Sequence, residues 1–432
     1  MMLAILMVLL VLFIFLGMEI AWAIGAACLA YMILSLGTDN PVNFVLLSHQ
    51  ALDGIDNFAL LAIPLFIFAG ELMAETGVTQ RLVRFAASWV GHIRGGLANV
   101  AVTSNFIMAG VSGSAIADAA ATGTVLIPEM VKRKYPPTFA AAVIAASSTV
   151  GPIIPPSIAF VLLGAIVNIS VGRLFLGGVI PGCLMSAAMF GLTWWIARRR
   201  GFAVEPQASW GERGMALLSA ALPLAAPIIV MRAMVIGVAT PTEAAAVLVA
   251  YILFLGFVIY RTLTPATLLR CAGNAALVTC IIMLTVGTAQ MFSWLSVQEQ
   301  FGQILTRGML AVTTDPYVLL LLLNVVLLFL GTFMEPLPLM LVMGPIIFPL
   351  FGSMGVDPVH LGVVMVINLI LGLITPPVGL ILNVVGVIAR ADPMEVFWEC
   401  LPYMAVLILV LLAVTYIPAI TLWLPNLLLP SS

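Results

Sequence analysis

Apolar residues fill the chain in long blocks, interrupted by short links that hold Gly, Pro and the few charged side chains. A helix needs about 20 mostly apolar residues to cross a bilayer, and runs of that order occupy nearly the whole sequence. The pattern predicts an all-α polytopic membrane protein with no separate soluble domain. The first run, Leu3 to Leu16, has the length of a secretory apolar core. It has no Lys or Arg before it and no small-residue cleavage site after it, so it reads as a retained first helix.

Composition sharpens this picture. Of 432 residues, 63% are hydrophobic and 8% charged, with a mean hydropathy of +1.22. Soluble domains carry roughly 25% charged residues, so most of this surface cannot face water. The five cysteines (Cys28, Cys183, Cys271, Cys280 and Cys400) are scattered on apolar stretches without a Cys-x-x-Cys pair, which argues against a disulfide framework or a zinc site. His49, His92 and His360 lie near segment ends and form no ligand-spaced pair. Nothing points to nucleic acid as a partner.

The interruptions repeat. A shift of 221 residues lays Gly110 on Gly331, Gly123 on Gly344, Pro128 on Pro349 and Pro137 on Pro358. The same shift lays Gly151 on Gly372, Pro155 and Pro156 on Pro376 and Pro377, and Pro181 on Pro402. Membrane helices commonly end in Gly and Pro, which would give a few matches at some offset. So many at one offset indicate an internal repeat, and secondary transporters are commonly built from such repeats with their sites at the repeat interface.

Basic residues orient the segments. Arg81, Arg84 and Arg94 precede the segment 96–131, and Lys132, Arg133 and Lys134 follow it. Its two ends carry the same mark, so it reads as a re-entrant hairpin entered from the cytoplasm. Alternate crossings then place every Lys and Arg on the cytoplasmic side except Arg173, Arg232 and Arg307. On that tracing the second hairpin, 316–351, opens from the periplasmic side, consistent with the lack of Lys or Arg between Arg307 and Arg390. The repeats are therefore expected to be inverted. The domain map is N-terminal scaffold helices over 1–56, repeat 1 over 57–198 with its broken helix at 138–168, and linker and scaffold helices over 199–270. Repeat 2 covers 271–425, with its broken helix at 359–389 and a last helix from Val396 to Ile420; a tail covers 426–432.

Each half has two mid-membrane breaks. The hairpin tips are Gly110-Val-Ser-Gly-Ser-Ala115 and Gly331-Thr-Phe-Met-Glu-Pro336, and the helix breaks are Thr149-Val-Gly-Pro-Ile-Ile-Pro-Pro-Ser157 and Gly372-Leu-Ile-Thr-Pro-Pro-Val-Gly379. Proline removes a backbone donor and glycine tolerates unwound geometry. Irregular backbone persists at membrane depth only inside protein or beside a wet cavity. Such loops present carbonyl and hydroxyl oxygens, which hard cations prefer. Two cation sites are expected from Ser112, Gly113, Ser114, Asp118, Thr149 and Gly151 in one half, and Gly331, Thr332, Glu335, Gly372, Thr375 and Gly379 in the other. An anionic substrate group would rest between half-helix N-termini, near Ser114, Pro155, Pro156, Ser157, Pro376 and Pro377. The competing reading is that Pro and Gly kink packed helices while Ser and Thr bond back to the preceding turn. Asp118 could then steady a tip, Glu71 could contact water, and Glu243 in Thr240-Pro-Thr-Glu-Ala could cap a helix.

At these residues the sequence resembles the large membrane subunit of the tripartite ATP-independent periplasmic (TRAP) transporters, the DctM-like family. The matching stretches are Ser112-Gly-Ser-Ala-Ile-Ala-Asp118, Gly151-Pro-Ile-Ile-Pro-Pro-Ser157, Thr240-Pro-Thr-Glu-Ala244 and Asn368-Leu-Ile-Leu-Gly-Leu-Ile-Thr-Pro-Pro-Val-Gly379. The resemblance implies sodium as coupling ion, an elevator mechanism, a location in the bacterial inner membrane, a small four-helix membrane partner, and a soluble periplasmic binding protein that delivers a carboxylate. It implies no cofactor and no enzymatic turnover. Related sequences often carry Asp where this chain has Glu335. A membrane-embedded enzyme would need a His, Cys or Asp cluster in mid-membrane, and a channel would need a continuous polar pore. Proton coupling through Asp118 or Glu335 is the alternative within the transporter reading.

Overall fold

The computed structural model describes residues 2–37, 41–202, 204, 206–301, 303, 304, 307, 308, 313 and 315–429. The described chain is built from helices. In order they are α1 (Met2–Phe15), α2 (Ile20–Ser35), α3 (Phe44–Ile55), α4 (Ala62–Glu75), α5 (Val78–Val90), α6 (Gly96–Ser112), α7 (Ala115–Lys132), α8 (Pro137–Ser148), α9 (Ile158–Val167) and α10 (Val171–Arg200). They continue with α11 (Trp210–Val235), α12 (Pro241–Phe254), α13 (Pro265–Gln298), α14 (Pro316–Gly331), α15 (Pro336–Ser353), α16 (Pro358–Gly372), α17 (Leu380–Ala389), α18 (Pro393–Tyr416) and α19 (Ala419–Leu428). Among the described residues, seven helices are long and apolar enough to cross a membrane.

Local chemistry sets many of the starts. Asp315-Pro316, Asp357-Pro358 and Asp392-Pro393 each open a helix, with the Asp side chain accepting the N–H of Tyr317, Val359 or Met394. Proline suits the first helical position because its missing donor would have no partner there, and the preceding Asp caps a free N–H. Thr240 and Glu243 form a reciprocal capping box at the start of α12, so Glu243 has the capping role.

The two expected hairpins are α6 with α7 and α14 with α15, and the two broken helices are α8 with α9 and α16 with α17. Every residue of α8 from Phe139 to Ser148, and of α16 from Val359 to Gly372, is buried. A helix apolar on all sides belongs in the interior, and these two form the centre of the molecule. The second segment of each broken helix packs on the other half of the chain: α17 packs on α7 and α8, and α9 packs on α15 and α16. Around this centre, α13 lies against α2, α3 and α4, while α12 packs on α4 and α11 on α5. Outward-facing Met215, Leu218 and Ile228 on α11 and Leu409 on α18 are exposed, as a bilayer-facing surface requires.

The C-terminal end departs from expectation. The last helix does not run continuously from Val396 to Ile420. It stops at Tyr416, Ile417 leaves the helical region (φ −120°, ψ 81°), and α19 restarts beyond Pro418. The reason is local: proline cannot donate the N–H that would continue the ladder. Because α19 reaches Leu428, the expected tail from 426 begins inside a helix; residues 430–432 of that tail lie outside the described residues.

Candidate functional site

Each tip packs onto the break of its own half. Around the first tip, Gly113 takes a left-handed conformation (φ +65°), and a Cβ there would come within 2.5 Å of the Pro156 carbonyl oxygen. A Cβ on Gly151 would lie 2.5 Å from Asp118 Oδ2 and 3.2 Å from the Ala115 amide. In the second half a Cβ on Gly372 would run into the Gly331 carbonyl. Val378 also donates to Thr332 O at 3.4 Å. Only glycine permits backbone to approach this closely. The Pro155-Pro156 and Pro376-Pro377 peptide bonds are both cis.

Ser114 is the N-cap of α7, its hydroxyl accepting the Ala117 N–H at 3.4 Å. Ser157 is the N-cap of α9; it accepts from Phe160 N at 3.2 Å and donates to Pro152 O at 2.5 Å. These two half-helix N-termini are positive dipole ends held inside the protein. Ser112 Oγ donates to Asp118 Oδ1 at 2.5 Å. Asp118 is fully buried, and its Oδ2 has no hydrogen-bond partner.

The threonines bond back along their helices. Thr149 donates to Ala146 O at 2.6 Å, Thr332 to Phe329 O at 2.8 Å and Thr375 to Leu371 O at 2.8 Å. Their donors are thereby occupied, which leaves oxygen lone pairs as what they offer a ligand. Glu335 caps the start of α15 without a side-chain cap bond and is exposed. Glu71 accepts from Asn274 Nδ2 at 3.3 Å, while the preceding Gly70 packs beside Ser112 O.

The two tips share an open-mouthed cavity of ≈ 90 Å³. Ser114 and Ile116 line it from the first tip, Pro152 and Ile158 flank the first break, and Glu335 and Leu373 come from the second half. Pro155, Pro156 and Ser157 are buried behind this surface, whereas Pro377 is exposed. A second, far tighter space of ≈ 10 Å³ lies among Gly331, Thr332, Gly372, Val378 and Gly379.

Two buried networks support these loops. Asn105 Nδ2 donates to Ser147 Oγ at 2.6 Å, and Thr122 Oγ1 donates to Asn105 Oδ1 at 2.8 Å. In the other half Asn368 Nδ2 donates to Asn324 Oδ1 at 2.8 Å, and Asn324 Nδ2 donates to Thr415 Oγ1 at 3.0 Å. Ser147 and Asn368 are equivalent under the repeat offset, and each stands one turn before its break glycine. Sequence reasoning did not single out these amides; the signal was an Asn inside a largely apolar run, alone at 324 and 368 and beside Thr103 and Ser104 at 105.

Buried helix breaks, half-helix ends and a cavity between two helix–helix tips, in a chain with seven helices apolar enough to span a membrane, fit the class of a polytopic membrane transporter. The fold has counterparts among solved structures. The YdaH transporter of Alcanivorax borkumensis superposes with a TM-score of 0.64 at 15% identity, covering 95% of this chain and 97% of that one. MtrF of Neisseria gonorrhoeae does so with a TM-score of 0.62 at 13% identity, covering 91% and 93%.

Sequence comparison gives the family. Residues 6–420 match the model of the DctM component of the tripartite ATP-independent periplasmic transporters. The sialic acid TRAP transporter large permease protein SiaM of Vibrio cholerae is 40% identical over 96% of both chains. The C4-dicarboxylate large permease protein DctM of Pseudomonas aeruginosa is 36% identical over 91% of this chain and 94% of its own. The 2,3-diketo-L-gulonate large permease protein YiaN of Escherichia coli is 35% identical over 93% and 94%. The chain belongs to the DctM family of TRAP transporter large permease subunits, multi-pass membrane proteins that are not enzymes.

Proposed function

We propose that this subunit imports a small carboxylate into the bacterial cytoplasm across the inner membrane, driven by sodium. The observation that carries the reading is the paired packing of each tip onto its own break, which gathers oxygens in two places beside one shared cavity. One sodium ion would lie among Ser112, Ser114, Asp118 and the carbonyls near Gly151. The other would lie among Gly331, Thr332, Gly372, Thr375 and Gly379. Sodium takes oxygen ligands, and unwound carbonyls in broken helices suit it. The substrate carboxylate would sit in the cavity between the tips, against the N-termini of α7 and α9.

The relatives named above act on organic acids, which supports an organic acid here, delivered by a periplasmic binding protein. A small membrane subunit completes the assembly. The distribution of basic residues supports inverted repeats, and a central group of hairpins and broken helices moving as a unit against α1–α4 and α11–α13 gives the elevator. The test is uptake by proteoliposomes holding this subunit and its small partner, with the binding protein supplied outside and a panel of carboxylates. Uptake should require inward sodium, and replacement by potassium should abolish it. Uptake that follows a pH gradient and ignores sodium would assign the coupling to protons.

A further inference from the structure

At the start of α11 stands a buried cation that no anion among the described residues meets. Arg213 is only 7% exposed, yet among the described residues no carboxylate pairs with it. Its Nε donates to Ser88 O at 3.2 Å, in the last turn of α5. The guanidinium carbon lies 5.6 Å from the centre of the Trp89 ring and 5.1 Å from that of Trp210. Its Nη2 is shielded from water and has no acceptor. The neighbouring Glu212 is turned to the cap, where it accepts from Ser209 N at 2.7 Å and Ser209 Oγ at 2.9 Å. One neutral carbonyl and two rings leave the charge uncompensated, and buried charges are ordinarily paired. Among the described residues nothing supplies the missing anion.

The surroundings say what kind. The first turn of α11 adds the positive end of a 26-residue helix dipole. Trp89 and Trp210 are 42% and 79% exposed, as aromatic residues at a membrane–water interface are. From there α11 presents exposed Met215, Leu218 and Leu222 to the outside. The same end of the molecule gathers other basic segments: Tyr135, next to Lys134, donates to Gly95 O at 3.1 Å, next to Arg94, and Arg200 stacks on Phe139. An anion that carries its own apolar tail fits both parts of this surface. We propose that Arg213, the first turn of α11, Trp89 and Trp210 bind the phosphate of an anionic phospholipid whose acyl chains lie along the exposed face of α11. The guanidinium fork suits a phosphate's oxygens, and Trp210, mostly exposed, is the cover that the headgroup displaces.

The test uses the purified full chain, stripped of lipid in detergent, then given phosphatidylglycerol, phosphatidylcholine or soluble glycerol phosphate. Bound lipid is counted by native mass spectrometry and stability followed by thermal unfolding. Phosphatidylglycerol should remain bound and raise the midpoint by several degrees, while glycerol phosphate should not. Arg213→Gln should lose both effects, Arg213→Lys should weaken them severalfold, and Arg199→Gln, which alters an arginine stacked on Trp195, should keep them. If Arg213→Gln does not fold, Arg213→Lys carries the test, and an unchanged response there overturns the proposal. Equal retention of phosphatidylglycerol by Arg213→Gln would also overturn it, as would glycerol phosphate or phosphatidylcholine matching phosphatidylglycerol.

Discussion

Asp118 concentrates the argument at the scale of single residues. A fully buried carboxylate with one oxygen bonded to Ser112 and the other without a partner is costly unless something positive joins it. Asp118→Asn keeps the size and removes the charge. It should raise the half-saturating sodium concentration about tenfold or more, taking about 1.5–3 kcal/mol for a contact to a charged group, as read from uptake at varied sodium. Ser114→Ala and Thr375→Val remove one oxygen each and should weaken sodium dependence by less. Unchanged sodium dependence in both would return these hydroxyls to the role of helix caps and back-bonded kinks. Gly372→Ala places a methyl group on the Gly331 carbonyl. Overpacking typically costs about 1–3 kcal/mol, so uptake should fall sharply while the protein still purifies folded.

Among the elements, many helix starts and the positions of the breaks were legible because glycine, proline and the Asp-Pro pairs act locally, through missing donors and permitted backbone angles. The end of the last helix was missed despite Pro418, since a single proline inside an apolar run can either kink or stop a helix. The amide clamps were illegible for a different reason. An Asn in an apolar run has no spacing rule, and only the fold reveals that Asn105 reaches Ser147 and that Asn368 reaches Asn324. Asn324→Leu should leave the Asn368 amide short of a partner and the Thr415 hydroxyl without its donor. A buried polar group left unsatisfied costs about 1–3 kcal/mol, so the thermal midpoint should drop. A midpoint equal to that of the parent protein would remove the clamp from the account.

Across the whole molecule, the 221-residue offset did not say that α9 would pack on α15 and α16 and α17 on α7 and α8. That pairing depends on diverged side chains at the centre, which carry no common signature. This packing brings both tips to one cavity and makes the central helices a single packed body. Contacts such as Asn57 Nδ2 donating to Ala165 O at 3.2 Å join that body to the outer helices, and an elevator stroke must break them. A covalent cross-link placed between positions 57 and 165 should therefore stop uptake, with recovery on cleavage; full activity with the link in place would exclude such a stroke. The central claim, that the paired loops hold sodium, is tested most directly by equilibrium binding of radioactive sodium to the purified chain. Saturable binding at two sites is expected, with one site lost in Asp118→Asn and the other weakened in Thr375→Val. Binding that never saturates, or that both variants leave untouched, would contradict it.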